Sequence, residues 1–181
     1  MNGISSLKNT TVVVTGATGF IGSHLVDYLV EYGCTVHALV RETSDQKWLN
    51  KSDQVKVYVV DLLQASPIPC LQEADYLFHC AGLTKAKTRD DYFFGNVNTC
   101  ETLYERCVAI GTNLKAIIHL SSLAAAGPSV QGEPAQEKNS CKPVTYYGES
   151  KLAGEKIALK FASQLPIVVI RPPVVYGPRE K

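Results

Sequence analysis

Short apolar runs rich in β-branched residues recur along the chain at Thr11 to Thr15, Thr35 to Val40, Val55 to Val60, Tyr76 to Cys80, Ala116 to Leu120 and Ile167 to Ile170. Each has the length of a strand, and its apolarity is continuous rather than alternating, which predicts parallel strands covered on both faces. Between the runs the period changes. From Phe20 to Tyr32, Ile21, Leu25 and Leu29 recur every four residues while Val26 and Val30 widen the stripe, which predicts an amphipathic helix. Further helices are predicted over Asp91 to Ile110 and over Tyr147 to Gln164, the latter from Ala153, Ile157 and Phe161 at the same spacing. Strand and helix in alternation predict right-handed crossovers and an α/β fold, a doubly wound parallel sheet between two helical layers. Ligands of such sheets bind in the crevice beyond the carboxyl ends of the strands.

At 181 residues the chain has the length of one domain, expected to run over 1–181. The stretch Ala124 to Val144 breaks the pattern with three prolines and mixed charge, and predicts a long loop beside the crevice. With 18 basic and 17 acidic residues the net charge is +1, so no overall field favours nucleic acid or an anionic membrane. The polar segment Met1 to Thr11 lacks the apolar centre of a signal peptide, and no run reaches the roughly 20 apolar residues of a membrane helix. Six cysteines are scattered without a C-x-x-C pair, which suits a reduced, cytoplasmic setting. His24, His37, His79 and His119 stand on separate elements, and none has a short-spaced ligand partner, so no metal site is expected.

The chemistry begins at Thr15-Gly-Ala-Thr-Gly-Phe-Ile-Gly22, which follows the first strand and opens the first helix, the context a dinucleotide-binding glycine loop requires. Gly16 suits the tight turn, Gly19 the approach of a pyrophosphate, and Gly22 close packing of helix on strand, with Ala17, Thr18, Phe20 and Ile21 completing the cradle. A second signal is Tyr147-Gly-Glu-Ser-Lys151, whose Tyr and Lys share one helical face, with Ser121-Ser122 ending the fifth strand. Tyr147 is then the acid/base and Lys151 the ammonium that supports it.

The G-x-x-G-x-x-G spacing in T-G-A-T-G-F-I-G resembles the extended short-chain dehydrogenase/reductases, the NAD-dependent epimerase/dehydratase family, and the resemblance spans nearly the whole chain. It implies the Rossmann fold and a nicotinamide cofactor. Asp61-Leu62 stands where the family has an acidic motif contacting adenine, and Cys80, Ala81 and Gly82 where it lays backbone against the cofactor. Asn96 matches a helix asparagine that supports the catalytic set, Ser122 the serine that orients the substrate oxygen, and Lys151 the residue that also bonds the nicotinamide ribose. Pro172, Pro173 and Val174 match a segment bordering the nicotinamide. Ala126 replaces a tyrosine frequent in the family's sugar-modifying members. The resemblance implies a smaller C-terminal substrate domain, and the chain stops just past the sixth strand, so that domain is expected to be largely absent and the fragment itself inactive. The predicted helices 91–110 and 147–164 resemble those of the family's homodimer interface.

NAD selection usually places a carboxylate after the second strand. Val40-Arg41 stands there, and Arg41 suits a 2′-phosphate, so NADP is expected; an arginine stacked on adenine in an NAD enzyme is the alternative. The first functional expectation is hydride transfer on a small-molecule substrate of the nucleotide-sugar class. The alternatives are an NADPH-dependent ketone reductase similar to dihydroflavonol reductases or 3β-hydroxysteroid dehydrogenases, and a non-catalytic NADP-binding sensor.

Overall fold

The computed structural model describes residues 7–64, 67–129, 133–134 and 136–180, so the segment 1–6 and part of the loop predicted over 124–144 lie outside the described residues. The strands are β1 (Thr11–Thr15), β2 (Thr35–Val40), β3 (Val55–Val59), β4 (Tyr76–His79), β5 (Ala116–Leu120) and β6 (Ile167–Ile170). All pairs are parallel, in the order β3-β2-β1-β4-β5-β6. The chain therefore starts at the centre, winds out to β3, and returns across β1 to build the other half. The crevice of a doubly wound sheet opens where the order reverses, between β1 and β4.

Register sorts the side chains into two cores. The row Val13, Leu77, Ile117 and Ile167 runs across one face, where α3 (Thr99–Ala109) supplies Leu103, Tyr104 and Cys107, and α5 (Tyr146–Lys160) supplies Ile157 and Ala158. Each such side chain removed from water contributes about 1.5–3 kcal/mol. On the other face Val14, Val36 and Ala38 pack under α1 (Phe20–Glu31), which buries Val26 and Leu29. This is the expected three-layer α/β/α arrangement. Cover on both faces does not extend to the edges, however. Along the row Ala38, Val14, Phe78, Ile118 and Val168 the side chains pass from buried to 51% exposed, and on β3 Val57 and Val59 are also exposed. α1 is about one helix wide and covers β1 and β2, so continuous apolarity over-reads burial at β3 and β6. No helix of the described residues is long and apolar enough to cross a membrane.

The helix predicted over 91–110 is three pieces in line. α2 (Arg89–Phe93) starts on a capping box, with the Asp91 N–H donating to Thr88 Oγ1 at 3.1 Å and the Thr88 N–H to Asp91 Oδ2 at 3.0 Å. From Phe94 to Asn98 the backbone widens into a π-helical turn before α3 continues. A Cβ on Gly95 would lie 2.4 Å from Leu83 Cδ1, so the wide turn seats itself on the loop after β4. The Thr99 hydroxyl and the Cys100 thiol donate to the carbonyls of Gly95 and Asn96 at 2.7 and 2.8 Å. Such π-bulges are frequent at functional sites.

α5 also differs from its sequence pattern. Its buried face carries Gly148, Ser150, Lys151, Gly154, Glu155 and Ala158 beside the predicted Ile157, while Ala153 and Phe161 lie on its flank, half-buried. A Cβ on Gly154 would come within 3.0 Å of the Asn96 carbonyl, so small and polar residues are what let α5 approach the π-turn. Within the predicted 124–144 loop, Leu123–Ala126 forms a single helical turn, α4, whose N-cap is Ser122.

Between the sheet and α3 the core holds polar groups. His79 and His119, opposite each other on β4 and β5, are each 1% exposed. Burial, aided by the nearby Lys151 charge, lowers the His119 pKa from 6.5 to about 4. Its neutral form is therefore favoured by folding, and the stability this confers is complete above pH 6.5 and lost as the pH falls toward 4. Urea unfolding across that window should show a loss of about 3 kcal/mol attributable to this ring. His119→Gln should flatten that part of the slope, and an unchanged slope would refute the assignment.

Candidate active site

β1 ends in Thr15 and the chain turns at Gly16 with φ +65°. A Cβ there would stand 2.7 Å from the Ala81 backbone nitrogen, so glycine is required both by the left-handed turn and by contact with the end of β4. The Gly19 N–H closes the turn on the Gly16 carbonyl at 2.9 Å. Gly22 faces that same carbonyl, which a Cβ would approach to 2.1 Å. The close packing that Gly22 permits is thus of helix on turn rather than of helix on strand. α1 opens at Gly19 without a side-chain cap and without an acid in its first turn, which leaves the positive end of its dipole for an anion.

A cavity of about 290 Å³ lies beyond the strand ends. Of the residues predicted for the cofactor, Gly16, Thr18 and Gly19 line it from the turn, Arg41, Asp61 and Leu62 from the ends of β2 and β3, and Cys80, Ala81 and Gly82 from the end of β4. Ala17 is instead sealed in the core under α1. Phe20, Ile21 and Gly22 also stand outside the lining, as do Tyr147, Lys151, Pro172, Pro173 and Val174. Burial pushes the Cys80 thiol up to about 12, so it lines the cavity as a neutral group.

At the outer end Asp61 accepts the Leu63 N–H at 2.9 Å and the Gln64 side-chain amide at 3.1 Å, an Asx-type turn that holds its carboxylate beside the cavity. Facing it, Arg41 and Ser44 tie their loop together. The Arg41 N–H donates to Ser44 Oγ at 3.0 Å, and the Ser44 N–H returns to the Arg41 carbonyl at 2.9 Å. Ser44 was not foreseen from sequence, because only this turn brings it to the cavity edge. Leu83, Phe94, Gly95 and Thr99 also line the cavity through the π-turn, whose widening no periodicity announces.

At the inner end, Asn96 is 3% exposed and spends its amide on neighbours. Its Oδ1 accepts the Leu83 N–H at 2.6 Å, and its Nδ2 donates to the Leu83 carbonyl at 3.0 Å and to Ser150 Oγ at 2.9 Å. These bonds hold the segment after β4 in place. Lys151 donates from Nζ to the Leu120 carbonyl at 2.6 Å, and burial pulls its ammonium below the ordinary lysine value. Gly82 makes room for both, since a Cβ there would meet Asn96 Oδ1 at 2.9 Å and Lys151 Nζ at 3.7 Å.

The two serines after β5 divide. Ser121 is buried and donates to Glu155, whereas Ser122 caps α4, accepting the Ala124 N–H at 3.1 Å, and stays partly accessible. Tyr147 is half-buried one helical turn before Lys151, its ring 6.1 Å from Tyr92. Its neighbour Gly148 brings α5 onto α4, because a Cβ there would lie 2.3 Å from the Ala124 carbonyl. Pro172 joins the group through its carbonyl, which accepts the Leu123 N–H at 3.0 Å.

Glu155 and Arg171 were also missed from sequence. Arg171 pairs with both Glu155 oxygens, at 2.8 and 2.6 Å, and these bonds with that of Ser121 hold the carboxyl below its usual range although burial alone would raise it. Glu155 follows Lys151 by four residues and Tyr147 by eight, so its place on the same face of the helix was available in the spacing.

The chain matches the NAD dependent epimerase/dehydratase family over residues 12–181. It is 26% identical over 185 residues to the mouse (Mus musculus) sterol-4-alpha-carboxylate 3-dehydrogenase, decarboxylating, covering 99% of this chain and 49% of that protein. It is 31% identical to the UDP-glucose 4-epimerase of Vibrio cholerae, covering 94% and 53%. The structure superposes on UDP-glucuronic acid 4-epimerase from Bacillus cereus in complex with NAD with a TM-score of 0.82 at 27% identity, over 94% of this chain and 59% of that one. The chain thus spans about half the length of the curated relatives it matches. On its glycine turn, strand order and nearly full-length match, the chain belongs to the NAD dependent epimerase/dehydratase family.

Proposed function

We propose that this chain binds a nicotinamide dinucleotide in the crevice and serves hydride transfer at a carbinol or carbonyl carbon of a small molecule, with NADP preferred over NAD. The observation that carries the reading is the cavity that runs from the uncapped end of α1 to the Arg41–Ser44 turn, its inner end one wall away from Lys151. Gly16 makes the tight turn, and Gly19, where an added Cβ would meet only the Gly16 carbonyl at 3.2 Å, leaves backbone open for a pyrophosphate to approach. Among the described residues lining the cavity the one carboxylate is Asp61, while Arg41 and Ser44 offer a cation and a hydroxyl at the end of β2. That donor set suits a 2′-phosphate better than a bare ribose diol.

The bound nicotinamide would supply or accept the hydride. Tyr147 would move the proton of the substrate oxygen, Ser122 would orient that oxygen, and the Lys151 ammonium beside them would favour the charge that develops on the phenol. Asn96 and Glu155 would act through other groups, by fixing Leu83 and by binding α5 to the ends of β5 and β6. The nucleotide-sugar class is supported by the UDP-glucose and UDP-glucuronic acid epimerase activities of the Vibrio and Bacillus relatives. A second reading, a ketone reductase that releases oxidised NADP at each turnover, is favoured by Arg41, because a 2′-phosphate site suits a cofactor drawn from the reducing pool, and by the dehydrogenase among the relatives.

Calorimetric titration with each dinucleotide tests the cofactor assignment. NADP should bind more tightly than NAD, and Arg41→Ala should weaken NADP by about tenfold or more, the 1.5–3 kcal/mol of a charged hydrogen bond, while leaving NAD nearly unchanged. Tighter NAD binding would reverse the choice. For the chemistry, Tyr147→Phe in the complete protein should lower kcat by roughly 10²–10⁴-fold with dinucleotide affinity retained. Unchanged turnover would remove Tyr147 from the acid/base role and favour a binding protein.

A further inference from the structure

The histidines that sequence spacing kept apart meet in space. His79 from β4, Cys100 from the first turn of α3 and His119 from β5 each present one ligand atom, and the three atoms lie within 4.8 Å of one another. All three residues are at most 2% exposed. His79 Nε2 stands 3.2 Å from Cys100 Sγ. Among the described residues His119 Nε2 is buried and has no hydrogen-bond partner, while its Nδ1 is taken up by the Tyr104 hydroxyl.

We propose that His79, Cys100 and His119 form a binding site for a soft monovalent cation, copper(I), in three-coordinate N₂S geometry. The outer nitrogens carry the argument beyond proximity. His79 Nδ1 is 2.8 Å from Thr15 Oγ1 and His119 Nδ1 is 2.6 Å from the Tyr104 hydroxyl. Ligating histidines usually anchor their second nitrogen in this way, which fixes the ring and turns the free nitrogen to the ion. Atoms held about 2.0–2.3 Å from one ion in a plane stand roughly 3.5–4 Å apart, so no pair needs to close by more than about 1.3 Å, and the His79–Cys100 pair opens slightly from 3.2 Å.

Ligand type and charge select the ion. A thiolate with two imidazoles is a soft set, suited to copper(I), whereas zinc asks for a fourth ligand. The fold also sets a charge limit, because the Lys151 ammonium already acts on both His79 and His119. Copper(I) on one thiolate adds no net charge to this buried space, whereas a divalent ion would leave an extra positive charge beside that ammonium. Binding is a simple exchange: the Cys100 thiol loses its proton to solvent, a sulfur–copper bond replaces the sulfur–hydrogen bond, and each imidazole keeps one proton, held on Nδ1 toward its oxygen partner. No oxidant or reductant is consumed.

The test is anaerobic titration of the reduced protein with copper(I) against bicinchoninate, a coloured competing ligand. The protein should take one equivalent, with an X-ray absorption spectrum of one sulfur and two nitrogens. Cys100→Ser, which retains a hydroxyl for the Asn96 carbonyl, should lose that equivalent while keeping a cooperative melt. Tyr104→Phe, which removes an outer partner, should weaken it about 10–100-fold. Cys107→Ser, two turns further along α3, should bind like the unaltered chain. Copper(I) should raise the melting temperature of the unaltered chain and leave that of Cys100→Ser in place. No retention against the competitor, two sulfurs in the spectrum, or full binding by Cys100→Ser would each overturn the proposal, and zinc(II) held as tightly through the same three residues would overturn the choice of ion.

Discussion

The architecture depends on one steric constraint, the contact of Gly16 with the end of β4. The turn after β1 is pressed so closely on Ala81 and Cys80 that a single Cβ would not fit. It is braced from behind by Gly22 on the Gly16 carbonyl and from below by Thr15, whose Oγ1 accepts the Ala81 N–H at 3.1 Å and meets His79 at 2.8 Å. Because β1 and β4 are neighbours whose following segments leave to opposite faces, this contact lies at the point where the sheet reverses direction. The cavity exists because the two strand ends are locked together while the chain above them parts.

A second layer of control comes from α5, which reaches the sheet with a polar, small-residue face in place of an apolar stripe. Gly148 and Gly154 allow approach, Lys151 donates to the last carbonyl of β5, and Glu155 gathers Ser121 and Arg171. A buried ion pair of this sort contributes little net stability against a well-packed apolar replacement. Its effect here is positional: it joins the residues just before Ser122 and Pro172 to the helix that carries Tyr147 and Lys151. The same economy is visible at Asn96, whose amide pairs with the Leu83 backbone as a neighbouring strand would, and so fixes the wall between the cavity and α5.

Much of this was legible in the residues alone, for local reasons. Runs of β-branched residues mark all six strands to within a residue, since strand formation and burial both draw on the same side chains. Glycines in the turn declare a backbone requirement that no other residue meets. Tyr147 and Lys151 declare a shared helical face by spacing. By itself, then, the sequence determined the fold class, the family, the position of the crevice and the likeness of the Tyr-Lys pair to a catalytic set.

Other features belong to the tertiary structure, because they arise between segments with no fixed separation along the chain. The exposure of β3 and β6 depends on how far α1 reaches across the sheet. The π-turn at Phe94 to Asn98 lies where Leu83 presses against Gly95, and beside it Asn96 pairs with the Leu83 backbone and supports the loop. The Arg41–Ser44 turn gains its position only once β2 and β3 lie side by side. The convergence of His79, Cys100 and His119 depends on strand register and on where the π-turn sets the phase of α3, neither of which any local pattern encodes. Periodicity reports what one element requires of its own faces, and only packing decides which faces meet.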